Sequence, residues 1–139
     1  MFSFLKRLSL RTIVAAEGAD AAAPRVLEGL LRELPELLLA CVVEVASGKI
    51  LASYTTHASY NPNHLSLRYA KLLHTVQHAV ASGAWPGGPL TDLTLVLDDQ
   101  LHHLRPLRAG QWYCFVAVYT ADANLALTKE VVRRCTTEG

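Results

Sequence analysis

Charge of one sign is nearly missing from this chain. Thirteen basic residues stand against twelve acidic ones, a net charge of +1. With no basic field to meet a phosphate backbone, nucleic acid is excluded as a partner. Cysteine is scarce too: Cys41, Cys114 and Cys135, none in a CxxC pair. Those spacings exclude a disulfide framework and a zinc ribbon, leaving reduced thiols packed in a core. No apolar run approaches the ~18 residues of a membrane span. Residues 1–16 mimic a targeting signal, with Lys6, Arg7 and Arg11 ahead of Ile13-Val14-Ala15-Ala16. After Arg11, however, the uncharged stretch is far shorter than the ~7–15 residues of a secretory core. The expected location is cytoplasmic.

The common catalytic signatures are also missing. There is no GxSxG elbow, Walker loop, GxGxxG fingerprint or HExxH pair. Gly83, Gly87 and Gly88 are interrupted by Trp85 and Pro86 and precede a strand pattern rather than a helix. They therefore cannot aim backbone N–H groups at a phosphate, and read as a connection.

What is present is apolar patterning. Half the residues are apolar, enough at this length for the core of one domain, expected over 21–139 behind a basic, apolar arm at 1–20. Leu27, Leu30, Leu31 and Leu34 recur at helical spacing and stop at Pro35. Residues 37–45 are apolar except Glu44, the pattern of a strand covered on both faces. A turn at Gly48 returns the chain as a second strand over 50–55. Asn61-Pro62 reads as a helix start, with Leu65, Tyr69, Leu72, Leu73, Val76 and Val80 as its buried face. Residues 90–98 alternate: Leu93, Leu95 and Leu97 fall on one side, Asp92, Thr94, Val96 and Asp98 on the other. One wet face suits an edge strand. Residues 100–107 form a weaker strand in which Pro106 belongs at the end. Residues 112–119 are apolar throughout and therefore central. Asp122 is expected to cap a last helix lined by Leu125, Thr128, Val131, Val132 and Cys135. The fold class is α/β, a three-layer sandwich in the order α-β-β-α-β-β-β-α.

Candidate chemistry is thin. Asp98 and Asp99 are adjacent, and neighbouring carboxylates on a turn diverge rather than share a substrate; turn formation explains them. His74 and His78, four apart on a helix, could share a divalent ion. No Asp or Glu lies between Pro62 and Pro89, so a third ligand would have to come from His57, His102 or His103. A polar helix face accounts for the pair, and no metal or cofactor is expected. Ser53, Ser59 and Ser66 have no visible base.

These elements together resemble the roadblock family, whose members include dynein light chains and bacterial partners of Ras-like GTPases. The features that carry the resemblance are residues 38–45 with the hairpin Gly48-Lys49-Ile50-Leu51-Ala52-Ser53 and the helix at 63–82. The strands at 93–98, 101–107 and 110–118 follow, with Asn124-Leu125-Ala126-Leu127 entering the last helix. The match spans residues 22–137. It implies a five-stranded antiparallel sheet, the middle helix on one face and the terminal helices on the other. It also implies a non-catalytic module that forms a homodimer by pairing third strands edge to edge, middle helices side by side. Such a module binds partners, commonly small Ras-like GTPases. Carried onto this chain, the seam falls on Asp92, Thr94, Val96 and Asp98, with Arg68, Lys71, His74 and His78 from the helix. Two features depart from the family pattern: the arm at 1–16 and the Trp-containing connection at 83–89. The arm reads as a terminal segment that packs on its own domain or a neighbouring copy, its other reading being weak contact with a membrane surface or a partner groove. The alternative is a sensory or adaptor domain of similar layers that holds a small ligand between helix and sheet.

Overall fold

A computed structural model describes residues 13–137. The elements are β1 (Val14–Ala15), α1 (Ala22–Glu33), β2 (Leu39–Glu44), β3 (Ile50–Thr55), α2 (Ser66–Ala81), β4 (Leu93–Val96), β5 (Gln100–Leu107), β6 (Trp112–Tyr119) and α3 (Leu125–Thr137). All neighbouring strands are antiparallel, in the spatial order β1-β3-β2-β6-β5-β4. The sheet has six strands where five were expected. The extra strand is Val14–Ala15, which pairs with Ser53 and Ala52. Ile13 tucks beside the α1 core. Both belong to the stretch read as arm. The rest of the arm, residues 1–12, lies outside the described residues.

The layers follow from strand periodicity. On one face Ala40, Val42, Cys114, Val116 and Val118 pack against Val26, Leu27 and Leu30 of α1 and Val131 and Val132 of α3. On the other, Leu39, Cys41, Val43, Tyr113 and Phe115 pack beneath Ala70 and Leu73 of α2. Strands β2 and β6, covered on both faces, are fully buried along nearly their whole length. Burial pushes the Cys41 thiol up to about 12, and burial, with smaller contributions from Cys41 and Cys135, raises Cys114 well above its ordinary value, so both stay protonated.

Local chemistry sets the element ends. The Asp20 carboxylate accepts the Ala22 N–H at 2.8 Å, filling one of the donors a helix start leaves open. Asn61 does cap, accepting from the Asn63 N–H at 2.9 Å, but the element it opens is a single 3-10 turn, Pro62–His64; α2 begins at Ser66. The last helix is capped by Asn124, whose side chain accepts the Leu127 N–H at 3.0 Å, and not by Asp122, which sits in the preceding 3-10 turn. Asn124 wins because it lies three residues before the donor it serves. Pro106 lies inside β5, past Leu104, the last residue there that β4 pairs. Gly48 has φ +72, and a Cβ there would sit 2.9 Å from Leu67 Cα. The hairpin thus presses on the start of α2 in a way only glycine permits.

Candidate interaction surface

β4 ends the sheet, and its outer side has no partner strand among the described residues. The strand is short, and only its inner neighbour β5 holds it, through pairs from Leu93–Leu104 to Val96–Leu101. Leu93 and Leu95 point to the α2 face and are half-buried. Beyond them Val96 is 68% exposed and Leu97 44% exposed. Apolar side chains on a free edge are the feature that folded proteins ordinarily blunt with charge, bulges or cover.

The flank of α2 that looks toward this edge carries Leu72, Val76 and Val80, all half-buried. Tyr69 marks the direction: its hydroxyl bonds His102 Nδ1 of β5 at 2.7 Å, and its ring meets Phe115 edge-on with centroids 5.1 Å apart. Lower down, Val80 shares a cleft with Leu90 and Pro106. Val80 and Leu90, three residues before β4, thus line one cleft, while Val96 lies across from Leu101 on the α1–α3 side of the sheet.

The residues singled out from sequence fall into three places. Val96 and Asp98 are exposed at the free end of β4. Asp92 and Thr94 point inward on the α3 face. Asp92 pairs with Arg105 at 3.4 Å and Lys129 at 3.8 Å, and Thr94 Oγ bonds His103 Nδ1 at 2.8 Å. Arg68 stands exposed on the crest of α2. Lys71 and His74, by contrast, line a cleft with Glu44, Val45 and Ala46 of the β2–β3 hairpin, on the flank turned away from β4. His78 extends the same row, its ring stacked on His74 with centroids 6.4 Å apart. The structure thus splits the helix set: three of its four members do not join the strand edge. The physical reason is angular, since residues at spacings of three and four from Lys71 trace the hairpin-side row and Leu72, Val76 and Val80 trace the edge-side row.

Three of the other histidines make side-chain hydrogen bonds. His57 bonds Ser59 Oγ at 2.8 Å. His102 lies between Tyr69 and Gln100, bonding both. Its neighbour His103 points through the opposite face, fully buried, with Nε2 lacking a hydrogen-bond partner among the described residues. Burial lowers both imidazole pKa values. Asp99 opposes this for His102; at His103 Asp92 opposes it while Lys129 and Arg105 reinforce it. Sequence reasoning missed the buried pair, because a His-His step in a strand gives no sign of which side is covered. No group of three His, Cys, Asp or Glu residues converges among the described residues, and none of their helices is long and apolar enough to cross a membrane.

A two-plus-one layering of helices on an antiparallel sheet with an open β4 edge defines the roadblock/LC7 fold, and solved structures of that fold match this chain over most of its length. Myxococcus xanthus MglB superposes with a TM-score of 0.67 at 9% identity, covering 78% of this chain and 84% of its own. A roadblock/LC7 domain from Streptomyces avermitilis gives 0.67 at 15%, covering 81% and 90%. A structure described as MglB with tetrameric arrangement gives 0.67 at 14%, covering 86% and 88%. By sequence, the chain matches no family model and no curated protein. At these identities the likeness is one of fold.

Proposed function

We propose that this chain is a roadblock-family module that works without catalysis, as a homodimer that binds or regulates a small Ras-like GTPase. The observation that carries the reading is the unpaired β4 edge, with the half-buried row Leu72, Val76 and Val80 on the flank of α2 nearest to it. Two copies related by a two-fold axis would extend one sheet into the other and lay the Leu72-Val76-Val80 rows side by side. The seam is thus β4, including Val96 and Asp98, with Arg68 at its rim and the helix's apolar row at its centre. Lys71, His74 and His78 stay outside it. The arrangement of that one MglB structure is in keeping with self-association of this fold. The GTPase partner rests on the family resemblance of the sequence elements.

Two measurements test the reading. Sedimentation equilibrium at tens of micromolar should show a dimer; a strict monomer would sink the seam. Small Ras-like GTPases encoded beside this chain, loaded with GTP or GDP, should be captured by it in pull-downs; failure with every nucleotide state would remove the partner. The ligand-domain alternative has less support: Leu73, Phe115, Leu27 and Leu30 fill both helix–sheet interfaces and are fully buried.

A further inference from the structure

We propose that the groove between α1 and α3 is a docking site for an acidic peptide segment of another molecule. The groove lies on the sheet face opposite α2, so it stays open whether or not β4 is paired, and the proposal does not rest on the dimer reading. It is a cleft of about 850 Å³. Gly29 faces it from the middle of α1, where a Cβ would come within 3.0 Å of Cys135 Sγ, so the helices approach closely at its floor.

Its walls are cationic. Arg25 and Arg32 contribute from α1, Arg133 and Arg134 from α3, and Arg108 from the turn between β5 and β6. Only Asp20 and Glu33 among the lining residues are acidic. In a chain whose overall charge is nearly balanced, five guanidinium groups along one groove are a concentration, not a background. Three already hold carboxylates: Arg108 holds Asp20 at 3.2 Å, Arg134 holds Glu33 at 2.8 Å, and Arg133 holds Glu130. Arg25 and Arg32 are exposed and form no ion pair among the described residues; Arg32 Nε reaches only the Glu28 carbonyl, at 3.4 Å.

Arg108 is held in place with care. It and Ala109 occupy left-handed backbone, φ 55 and 54, ahead of Gly110 at φ 85. Its guanidinium lies 4.4 Å over the Trp112 ring, and its Nε is buried without a hydrogen-bond partner among the described residues. Backbone in this region is strained for residues other than glycine, and such strain gathers at functional positions.

Three features select an acidic peptide over a compact phosphate. Arg25 and Arg32 are two turns apart, about 10 Å, too far to converge on one phosphate. The existing partners are carboxylates in exposed pairs, which add little stability and can be exchanged for an incoming Glu or Asp. And α1, with 12 residues, offers a row of about 18 Å, the length of an extended hexapeptide. Within residues 1–139 no acidic run is longer than Asp98-Asp99, and residues 1–16 contain no acid, so none of these segments matches the groove.

The test is fluorescence anisotropy with a labelled oligoglutamate peptide of about six to eight residues and the full chain. The expected result is saturable binding that weakens with salt and loses about tenfold or more in Arg25→Glu/Arg32→Glu. The milder Arg25→Gln/Arg32→Gln should lose less, in the same direction. Lys71→Glu/His74→Glu on α2, outside the proposed seam, should leave binding unchanged. Circular dichroism and melting confirm that each variant is folded. Absence of saturable binding would overturn the proposal, as would an equal loss from the α2 variant, which would mean diffuse charge attraction. Full displacement by equimolar inorganic pyrophosphate would also overturn it, by assigning the groove to compact phosphates.

Discussion

If β4 is a dimer seam, replacing Val96 with lysine should dismantle the dimer and spare the monomer. Val96 is 68% exposed, and fully burying a valine side chain contributes about 1.5–3 kcal/mol. Covering the exposed two-thirds is then worth about 1–2 kcal/mol per copy. A two-fold seam contains the residue twice, so the substitution removes about 2–4 kcal/mol, a rise in dissociation constant of about 30- to 700-fold. The lysine also places an ammonium on the edge, the device by which native sheets refuse a partner. Because Val96 makes little contact within its own chain, the monomer's unfolding free energy at high dilution should barely move. Sedimentation equilibrium across a concentration series reads the constant directly. Two companions locate the seam on the helix: Val76→Glu should weaken association and His78→Glu should not. A Val96→Lys dissociation constant within about threefold of the parent would refute the reasoning, since that is less than about 0.7 kcal/mol.

Three further predictions concern the fold that positions the edge. Gly48→Ala should destabilise by about 2–5 kcal/mol in urea titration, combining a left-handed backbone penalty with a Cβ driven onto Leu67. Tyr113→Phe should cost about 1 kcal/mol by the same measurement, since it deletes the buried hydroxyl that donates to the Ser66 carbonyl at 2.6 Å. Stability should fall with acidification through His102 and His103. Their folded pKa values lie below the ordinary 6.5, so the unfolded chain takes up protons first. Their contribution is present above about pH 6.5, declines as the pH drops below it and is lost at the depressed folded values. Urea midpoints at about pH 7.5 and 5.5 should therefore differ, and His103→Asn should shrink the difference. A pH-independent midpoint in the parent would contradict the buried neutral imidazoles.

Sequence by itself determined the layers. Apolar residues at helical spacing in α1 and unbroken apolar runs in β2 and β6 report burial on one side or on both, and burial pattern is what periodicity encodes. The alternation over 90–98 correctly put Leu93 and Leu95 on one face, but the face expected to be wet is half-buried at Asp92 and Thr94, which Arg105, Lys129 and His103 engage. Periodicity cannot say what a short segment pairs with, and for that reason Val14–Ala15 went unread as a strand: two residues carry no period, and only the β3 edge makes them regular. The caps went the same way, because Asp122 and Asn124 are both competent and only the helix's first free N–H chooses between them. Tertiary structure decided the functional geometry. Which flank of α2 meets the open edge depends on how the helix is rolled on the sheet, and that roll is set by Tyr69 reaching His102 and Gly48 pressing on Leu67. The Arg groove was invisible for a related reason. Its five arginines come from three elements far apart in the chain, and no local pattern announces that folding will line them up.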